Sequence, residues 1–397
     1  MNAEHLQSPR FTPSPQLMNN LRLLSILGAV VTIIGIIFVP EREWASMLLA
    51  GIFLLGLGIA GVVFIAIQYV TNAGWSTVIR RIPESMLSSL VAGALIILIA
   101  MAGIHHLYPW SDSSLMGSNP ILKAKEGWLN VPFFIGRTVA YIVIWLLLST
   151  LIIKNSIRHG EEGELRYRAK SKTASAIFLV VFALTFSLAS MDWIMSLEPH
   201  WYSTIFGVYN IIGAFVSGLT SITLIALILK RKGYLTEYLT GEHFHNLGKL
   251  IFAFSTFWMY IWFSQYLLIW YSNIPEEVTY MVKRQHGSWL IFTIVNVLFN
   301  WVIPFFALLP SWTKKHEGLL LRVCIILLLG RWIDLFWMIL PPFLPDAPVV
   351  NIWELAPMFC VIPGFFYLMF KSLAKRSIIP AKDTMLVESL PLYHFHG

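Results

Sequence analysis

The sequence contains ten apolar runs, each long enough to cross a lipid bilayer, and this repetition constrains the fold more than any other feature. A membrane-spanning helix needs about 20 mostly apolar residues. Strands of a membrane β-barrel would alternate apolar and polar positions, and these runs do not. We therefore predict an all-α polytopic membrane protein with ten transmembrane helices, near residues 21–39, 45–70, 87–107, 131–153, 174–197, 205–229, 250–272, 289–309, 319–340 and 352–370.

The composition agrees with this class and excludes others. Of the 397 residues, 57% are hydrophobic and only 12% are charged, which is far from the composition of a soluble domain. The net charge of +7 is distributed along membrane-flanking segments, so it does not indicate a nucleic-acid partner. The first twenty residues are polar and lack the short apolar core of a cleaved signal peptide, so we expect the first span to be retained.

The distribution of basic residues predicts the orientation. The N-terminal tail, every second loop and the C-terminal tail, together with Arg22 at the edge of the first span, carry twenty Lys and Arg, whereas the opposite loops carry five. Because basic residues are enriched on the cytoplasmic side, both termini are predicted to be cytoplasmic. The predicted organisation is a cytoplasmic tail (1–20), a ten-helix membrane domain (21–370) and a second cytoplasmic tail (371–397). Within the domain, spans two to five and six to nine are expected to form two four-helix bundles with flanking helices.

Several ionisable residues lie inside the predicted spans, with Asp192 at the end of the fifth as the central one. Inserting such a residue into a membrane costs roughly 2.5–3.5 kcal/mol, so each is a functional hypothesis. One interpretation is a set of neutralising ion pairs that hold the helices together. The other is a polar pocket, open to the outer face, that binds a polar headgroup and exchanges protons. The candidate residues, predicted to share the outer half of the membrane, are Asp192, Arg137, Arg331, Asp334, Glu354, His105, His106 and Gln265.

The motifs that hold redox cofactors or nucleotides are missing from the sequence. The two cysteines, Cys324 and Cys360, lie in apolar runs and form neither CxxC nor CxxCH. His105 and His106 are adjacent, so on a helix they point about 100° apart and do not form a bis-histidine haem site. No phosphate-binding glycine motif is present. We therefore predict that the chain binds no redox cofactor and no metal of its own.

The predicted outer loops are rich in Trp, Tyr and Pro, as in residues 105–110 (HHLYPW) and 341–345 (PPFLP). Two interpretations remain open for them: an interfacial aromatic belt, or a docking surface for an extrinsic partner.

Longer motifs carry a resemblance to a known family. Residues 244–277, FHNLGKLIFAFSTFWMYIWFSQYLLIWYSNIPEE, resemble the seventh span of the ActF-type membrane subunits of bacterial alternative complex III. These subunits belong to the NrfD/PsrC-like integral membrane family. Residues 128–137 (WLNVPFFIGR), 190–193 (SMDW), 198–202 (EPHWY) and 330–341 (GRWIDLFWMILP) resemble the same subunits.

This resemblance implies a multi-pass subunit of a quinol:electron-acceptor oxidoreductase in the bacterial inner membrane. The implied partners are a homologous ActC-like subunit, a periplasmic iron–sulfur subunit, haem c subunits, small membrane subunits and lipids. The haem c and iron–sulfur clusters belong to those partners, and quinone or menaquinone is the implied small molecule.

Three functions are consistent with these sequence features. The first is a scaffold for peripheral redox subunits that also relays protons. The second is that the chain itself binds and oxidises quinol, with Asp192 or the His105–His106 pair accepting the hydroxyl protons. A cleft beside Asp192, wide enough for an isoprenoid tail, would favour this second function. The third is a secondary transporter, whose site would lie near the membrane midplane at broken helices.

Overall fold

The computed structural model describes residues 10–345 and 347–390 and shows an all-α protein, as predicted. Nine helices in this part of the chain are long and apolar enough to cross a membrane. The predicted ninth span is also a helix, but it contains the three charged residues Arg322, Arg331 and Asp334 and is not among these nine, so the count of ten stays a prediction. The helices are α1 (Pro15–Phe38), α2 (Pro40–Thr71), α3 (Thr77–Leu107), α4 (Val131–Glu162), α5 (Leu165–Leu197), α6 (Phe206–Arg231), α7 (Gly241–Ser272), α8 (Trp289–Leu308), α9 (Glu317–Ile339) and α10 (Ile352–Leu373).

Several helices extend beyond their predicted ends by up to ten residues, so the boundaries drawn from the apolar runs were wrong there. The start of α4 agrees with the prediction, with the Asn130 side chain accepting a hydrogen bond from the backbone N–H of Phe133 at 3.0 Å. Its end does not, because α4 continues to Gly163, whose φ of +80° suits the left-handed conformation that ends many helices. The backbone hydrogen bonds of a helix can continue beyond its apolar run into water. The capping residues, rather than the length of the apolar run, therefore determine where these helices end.

Helix α2 lies at the centre of the molecule and is enclosed along its whole apolar length. It packs very closely on α3, where glycines allow the two backbones to meet. A Cβ atom on Gly58 would lie 2.2 Å from the backbone N of Leu90, and one on Gly93 would lie 2.3 Å from that of Leu55. Small residues at such crossings are typical of membrane helix pairs, because close backbone approach increases van der Waals contact.

The remaining contacts agree with the predicted bundles. Helices α2 to α5 pack together, as do α6 to α9, and the two groups meet along α2 and α6. Helices α1 and α10 pair with each other at the flank of α2. Helix α8 contains a π-helical turn, Leu298–Val302, directly before Pro304.

The two ends of the helical domain are clearly different. At one end, Arg10, where the described chain begins, forms an isolated backbone bridge with Ser377, which follows α10. We call the opposite end, formed by residues 108–130, 198–205, 273–288, 340–345 and 347–351, the outer end, after its predicted orientation. It contains a short amphipathic helix, Pro275–Gln285, in a segment predicted as a loop.

The described part of the C-terminal tail folds back onto the helical domain instead of extending from it. Asp383 is buried and forms ion pairs with Arg80 and, at 3.2 Å, with His159. Ser389 donates a hydrogen bond to the carbonyl of Trp75 at 2.7 Å. Burial raises the pKa of Asp383, but the positive charge of Arg80 and the contact with His159 outweigh it and lower the pKa from 3.8 to about 2.

This pairing predicts that Asp383 holds the tail in place. Replacing Asp383 with Asn removes the charge that neutralises Arg80, so we expect amide hydrogen exchange in residues 374–390 to accelerate by about tenfold or more. Because the folded-state pKa is depressed, the stabilisation is complete above about pH 4 and is lost as the pH falls toward 2.

Hydrogen-exchange mass spectrometry of the solubilised protein measures this effect. Lys382→Gln is the matched control, because this neighbouring side chain is exposed. Equal exchange rates in the Asp383→Asn variant and the wild type would contradict a tethering role.

Candidate functional site

The ionisable residues predicted to share one level do not form one site. They divide into three clusters, which we name after their carboxylates: the Asp192, Asp334 and Glu354 clusters. No hydrogen bond or ion pair among residues 10–345 and 347–390 connects one cluster to another. The prediction of a single convergent pocket therefore becomes three separate polar centres, each formed between neighbouring helices.

The Asp192 cluster joins α4 to α5. Arg137 donates two hydrogen bonds to the Asp192 carboxylate, from Nε to Oδ2 and from Nη2 to Oδ1, both at 2.9 Å. The indole N–H of Trp128 donates to Oδ1 at 2.9 Å, and the hydroxyl of Tyr141 donates to Oδ2 at 3.0 Å. Both side chains of the ion pair are buried. The four donors occupy the lone pairs of the carboxylate, so a further donor can bind Asp192 only after one of them moves away.

Aromatic rings hold the Arg137 guanidinium in position. Its central carbon lies 4.1 Å from the ring centre of Trp128 and 4.3 Å from that of Phe133, in cation–π contacts. Its Nη1 donates to the carbonyl of Trp128 at 2.9 Å. Beyond the pair, the indole of Trp193 donates to the hydroxyl of Thr138 at 3.1 Å, a second polar link between α4 and α5. The cluster is therefore rigid, apart from the partly exposed Trp128.

A cleft of about 500 Å³ opens beside Asp192 at the outer end. Its wall is mostly apolar, and Trp128, 41% exposed, lies along one side. Met195 lies in the last turn of α5, and Tyr202 lies in the segment that follows it. The complete lining is Ala124, Lys125, Gly127, Trp128, Leu129, Leu188, Met191, Asp192, Met195, Ser196, Pro199, Trp201 and Tyr202.

The Asp334 cluster joins α6, α8 and α9. Arg331 donates to Asp334 at 2.6 Å, one turn along the same helix. Tyr209 also donates to Asp334, and Asn296 does so at 3.2 Å. The guanidinium needs the space above Gly213, where a Cβ atom would lie 2.3 Å from Nη1. Both charges are buried and partnered, which fits a structural ion pair.

The Glu354 cluster joins the start of α2 to the start of α10. Arg42 donates from Nε to Glu354 at 2.9 Å, and the backbone N–H of Asn351 donates to the other carboxylate oxygen at 3.0 Å. Glu43 lies next to this pair and is fully buried. Arg42 and Glu43 were predicted to be in an outer loop, residues 40–44, and this was wrong. Pro40 followed by acidic residues is a typical helix start and could have revealed it.

The other predicted candidates are not part of these clusters. His105 and His106 are exposed, and His105 lies 3.2 Å from the hydroxyl of Ser111. Gln265 is buried in α7, and no hydrogen bond joins it to a charged residue in the described part of the chain. Sequence reasoning also missed the role of Tyr141, although it follows Arg137 by four residues and thus shares its face of α4.

A fourth ion pair stiffens the outer end. Arg284 is fully buried and donates to Glu198 at 2.7 Å, and Lys283 donates to the same carboxylate at 2.9 Å. Burial raises the pKa of Glu198, but these two positive charges outweigh it and lower the pKa. The ring of Tyr280 stacks on that of Trp201 at 3.7 Å. The helix Pro275–Gln285 is thereby fastened to the wall of the cleft.

Three or more His, Cys, Asp or Glu side chains do not come together as a metal site anywhere in residues 10–345 and 347–390. Cys324 and Cys360 are both free thiols. No protein-family model matches this chain, and no curated protein is significantly similar to it.

The geometry of the Asp192 cluster predicts a strong coupling between its two charges. Asp192→Asn leaves the buried Arg137 charge without a counter-charge, which should destabilise the protein by about 3–5 kcal/mol. Asp192→Asn combined with Arg137→Gln removes both charges and should cost less than the sum of the two single changes. Denaturation of the detergent-solubilised protein measures this double-mutant cycle. Additive effects would contradict the pairing.

The Asp334 cluster predicts that exchanging its charges is not tolerated. In the variant with Arg331→Asp and Asp334→Arg, the new guanidinium faces the donors of Tyr209 and Asn296, and the space above Gly213 is left unfilled. We expect its stability to be no higher than that of Asp334→Asn alone, in a thermal melt of the solubilised protein. Recovery of wild-type stability by the exchange would show that only net charge matters there.

Proposed function

We propose that this chain is an integral membrane subunit of a quinol:electron-acceptor oxidoreductase of the alternative complex III type, and that its Asp192 cleft receives the quinol headgroup. The cleft beside the Asp192–Arg137 pair is the observation that carries this proposal. Its volume lies within the range of about 300–1,000 Å³ that is usual for small-molecule sites. The second of the functions weighed from the sequence is thus the one that the cleft favours.

The lining of the cleft matches the two parts of a quinol. The apolar side chains of Leu188, Met191 and Met195 suit an isoprenoid tail, whereas Trp128 and Tyr202 offer ring faces to an aromatic headgroup. The outer end is also where the predicted periplasmic subunits would dock. An acidic group at the headgroup end completes the match, since oxidation of a quinol releases protons.

The hydrogen bonds of Asp192 suggest how a quinol hydroxyl is recognised. Trp128 is the most exposed of its donors, so it is the one that a ligand displaces most easily. A hydroxyl that takes the place of the indole N–H would donate to Oδ1, while Arg137 keeps its two hydrogen bonds to the carboxylate. The chain thereby positions the quinol and offers its proton an acceptor, and the electrons pass to the haem c and iron–sulfur subunits of the complex.

The outer end supports the scaffolding part of the proposal. The Glu198–Arg284 pair and the Tyr280–Trp201 stack fix the helix Pro275–Gln285, which has a strongly polar outer face. Because this surface is already ordered, little conformational entropy is lost when a partner binds to it. In this proposal the outer loops act as a docking surface rather than as an aromatic belt.

Filling the cleft tests the proposal. Leu188 lines the cleft, so Leu188→Trp should lower quinol oxidation by the purified complex by about tenfold or more and reduce labelling by a photoreactive azidoquinone. Leu184→Trp is the matched control, because Leu184 lies one turn away on α5, is 65% exposed and does not line the cleft.

The outcomes separate the two parts of the proposal. Unchanged turnover and labelling in the Leu188→Trp variant would exclude the cleft as the quinol site. If affinity purification through a tag on this chain recovers no haem c or iron–sulfur subunit, the assignment to the complex is wrong.

A further inference from the structure

Glu43 is a buried carboxyl group that the proposed quinol site does not use. It lies in the first turn of α2, its side chain is fully enclosed, and neither oxygen forms a hydrogen bond or contacts solvent. The hydroxyl of Thr32 on α1 lies close enough to interact with this carboxyl group, but without the geometry of a full hydrogen bond. Asp192 and Asp334 are partnered in full, so Glu43 stands apart from the other acids of the outer half.

The surroundings of Glu43 are shaped to contain it. A Cβ atom on Gly35 of α1 would lie 2.5 Å from Oε2 of Glu43, so only a glycine there leaves room for the carboxyl group. Helix α1 covers this position and faces outward along most of its length. The carboxyl group is therefore enclosed between two helices, close to the lipid-facing surface of the protein.

The charges around Glu43 do not balance if it is ionised. The charged groups that act on it are Arg42 on its own helix and Glu354 on α10. Arg42 is already paired with Glu354, so three ionised groups would leave one negative charge buried without a partner. The partial positive charge at the start of α2 stabilises an anion, but this stabilisation is small compared with the free-energy cost of burying one. The group is neutral overall when one of the two carboxyls holds a proton.

We propose that Glu43 is a proton-binding site, in which it holds an exchangeable proton while Arg42 neutralises Glu354. Arg42 is the partly exposed member of the group, at 25% of its side chain, and Glu354 is almost fully buried. A turn of the Arg42 side chain from Glu354 to Glu43 would release the proton from Glu43 and leave Glu354 to take one up. The three residues form a proton switch between α1, α2 and α10, separate from the Asp192 cleft.

A hydrophobic carbodiimide tests this assignment, because dicyclohexylcarbodiimide reacts with protonated carboxyl groups in apolar surroundings. The carboxyl proton moves to a carbodiimide nitrogen, the carboxylate oxygen bonds to the central carbon, and the acyl group then migrates to nitrogen. The product is a stable N-acylurea, with no group lost. Peptide mass spectrometry of the full-length protein should find this adduct on Glu43, and its yield should fall as the pH is raised.

The same experiment contains its controls. Glu41 is exposed and Glu354 is paired, so neither should be labelled, and Glu43→Gln should abolish the adduct. Arg42→Gln removes the counter-charge of Glu354, so labelling should then appear on Glu354 as well. Labelling of Glu354 in that variant with none on wild-type Glu43 would overturn the proposal, because the reagent would have reached the site.

If no residue is labelled, infrared spectroscopy tests whether Glu43 is protonated. A protonated carboxyl group has a carbonyl stretching band that is absent from a carboxylate. We expect such a band in the wild type and its loss in Glu43→Gln. Identical spectra in this region would overturn the proposal, whatever the access of the reagent.

Discussion

The cost of burying charge within an apolar helical domain is the constraint on which the rest of this structure depends. The free-energy cost of burying an unpaired charge there is much larger than the gain from a hydrophobic contact. Each buried ion therefore needs partners from a neighbouring helix. Arg137 and Asp192 join α4 to α5, Arg331 and Asp334 join α9 to α6 and α8, and the Arg42–Glu354 pair joins α2 to α10. Each pair limits how its helices can rotate, because rotation by half a turn would expose the ion to lipid.

The outer-half acids differ in how fully they are hydrogen-bonded, and this difference separates their roles. Asp192 accepts four hydrogen bonds, so it suits recognition of a donor that replaces one of them. Glu43 accepts none, so it suits storage of a proton. Placing these two tasks on separate helix pairs would let a ligand bind at one site without changing the charge at the other. A shared depth alone does not make a common site.

Packing gives the outer end its rigidity. The stacked rings of Tyr280 and Trp201 and the buried Arg284 fasten a short amphipathic helix beside the cleft. At the opposite end, Asp383 fastens the C-terminal segment through Arg80 and His159. Both ends are thus held by ion pairs between segments distant in sequence, and the apolar helices between them are held by close contacts such as those at Gly58 and Gly93.

The sequence by itself determined the all-α membrane class, the positions of the helices and the ionisable residues within them, because apolar length and charge are properties of each segment alone. It also identified Asp192 and Arg137 as candidates. Tertiary structure alone decided which charges meet, since the partner of Asp192 lies 55 positions away and that of Arg42 lies 312 positions away. It also decided that Glu43, which local sequence assigned to a loop, is enclosed at a helix crossing. Burial depends on what a neighbouring helix covers, and no single segment contains that information.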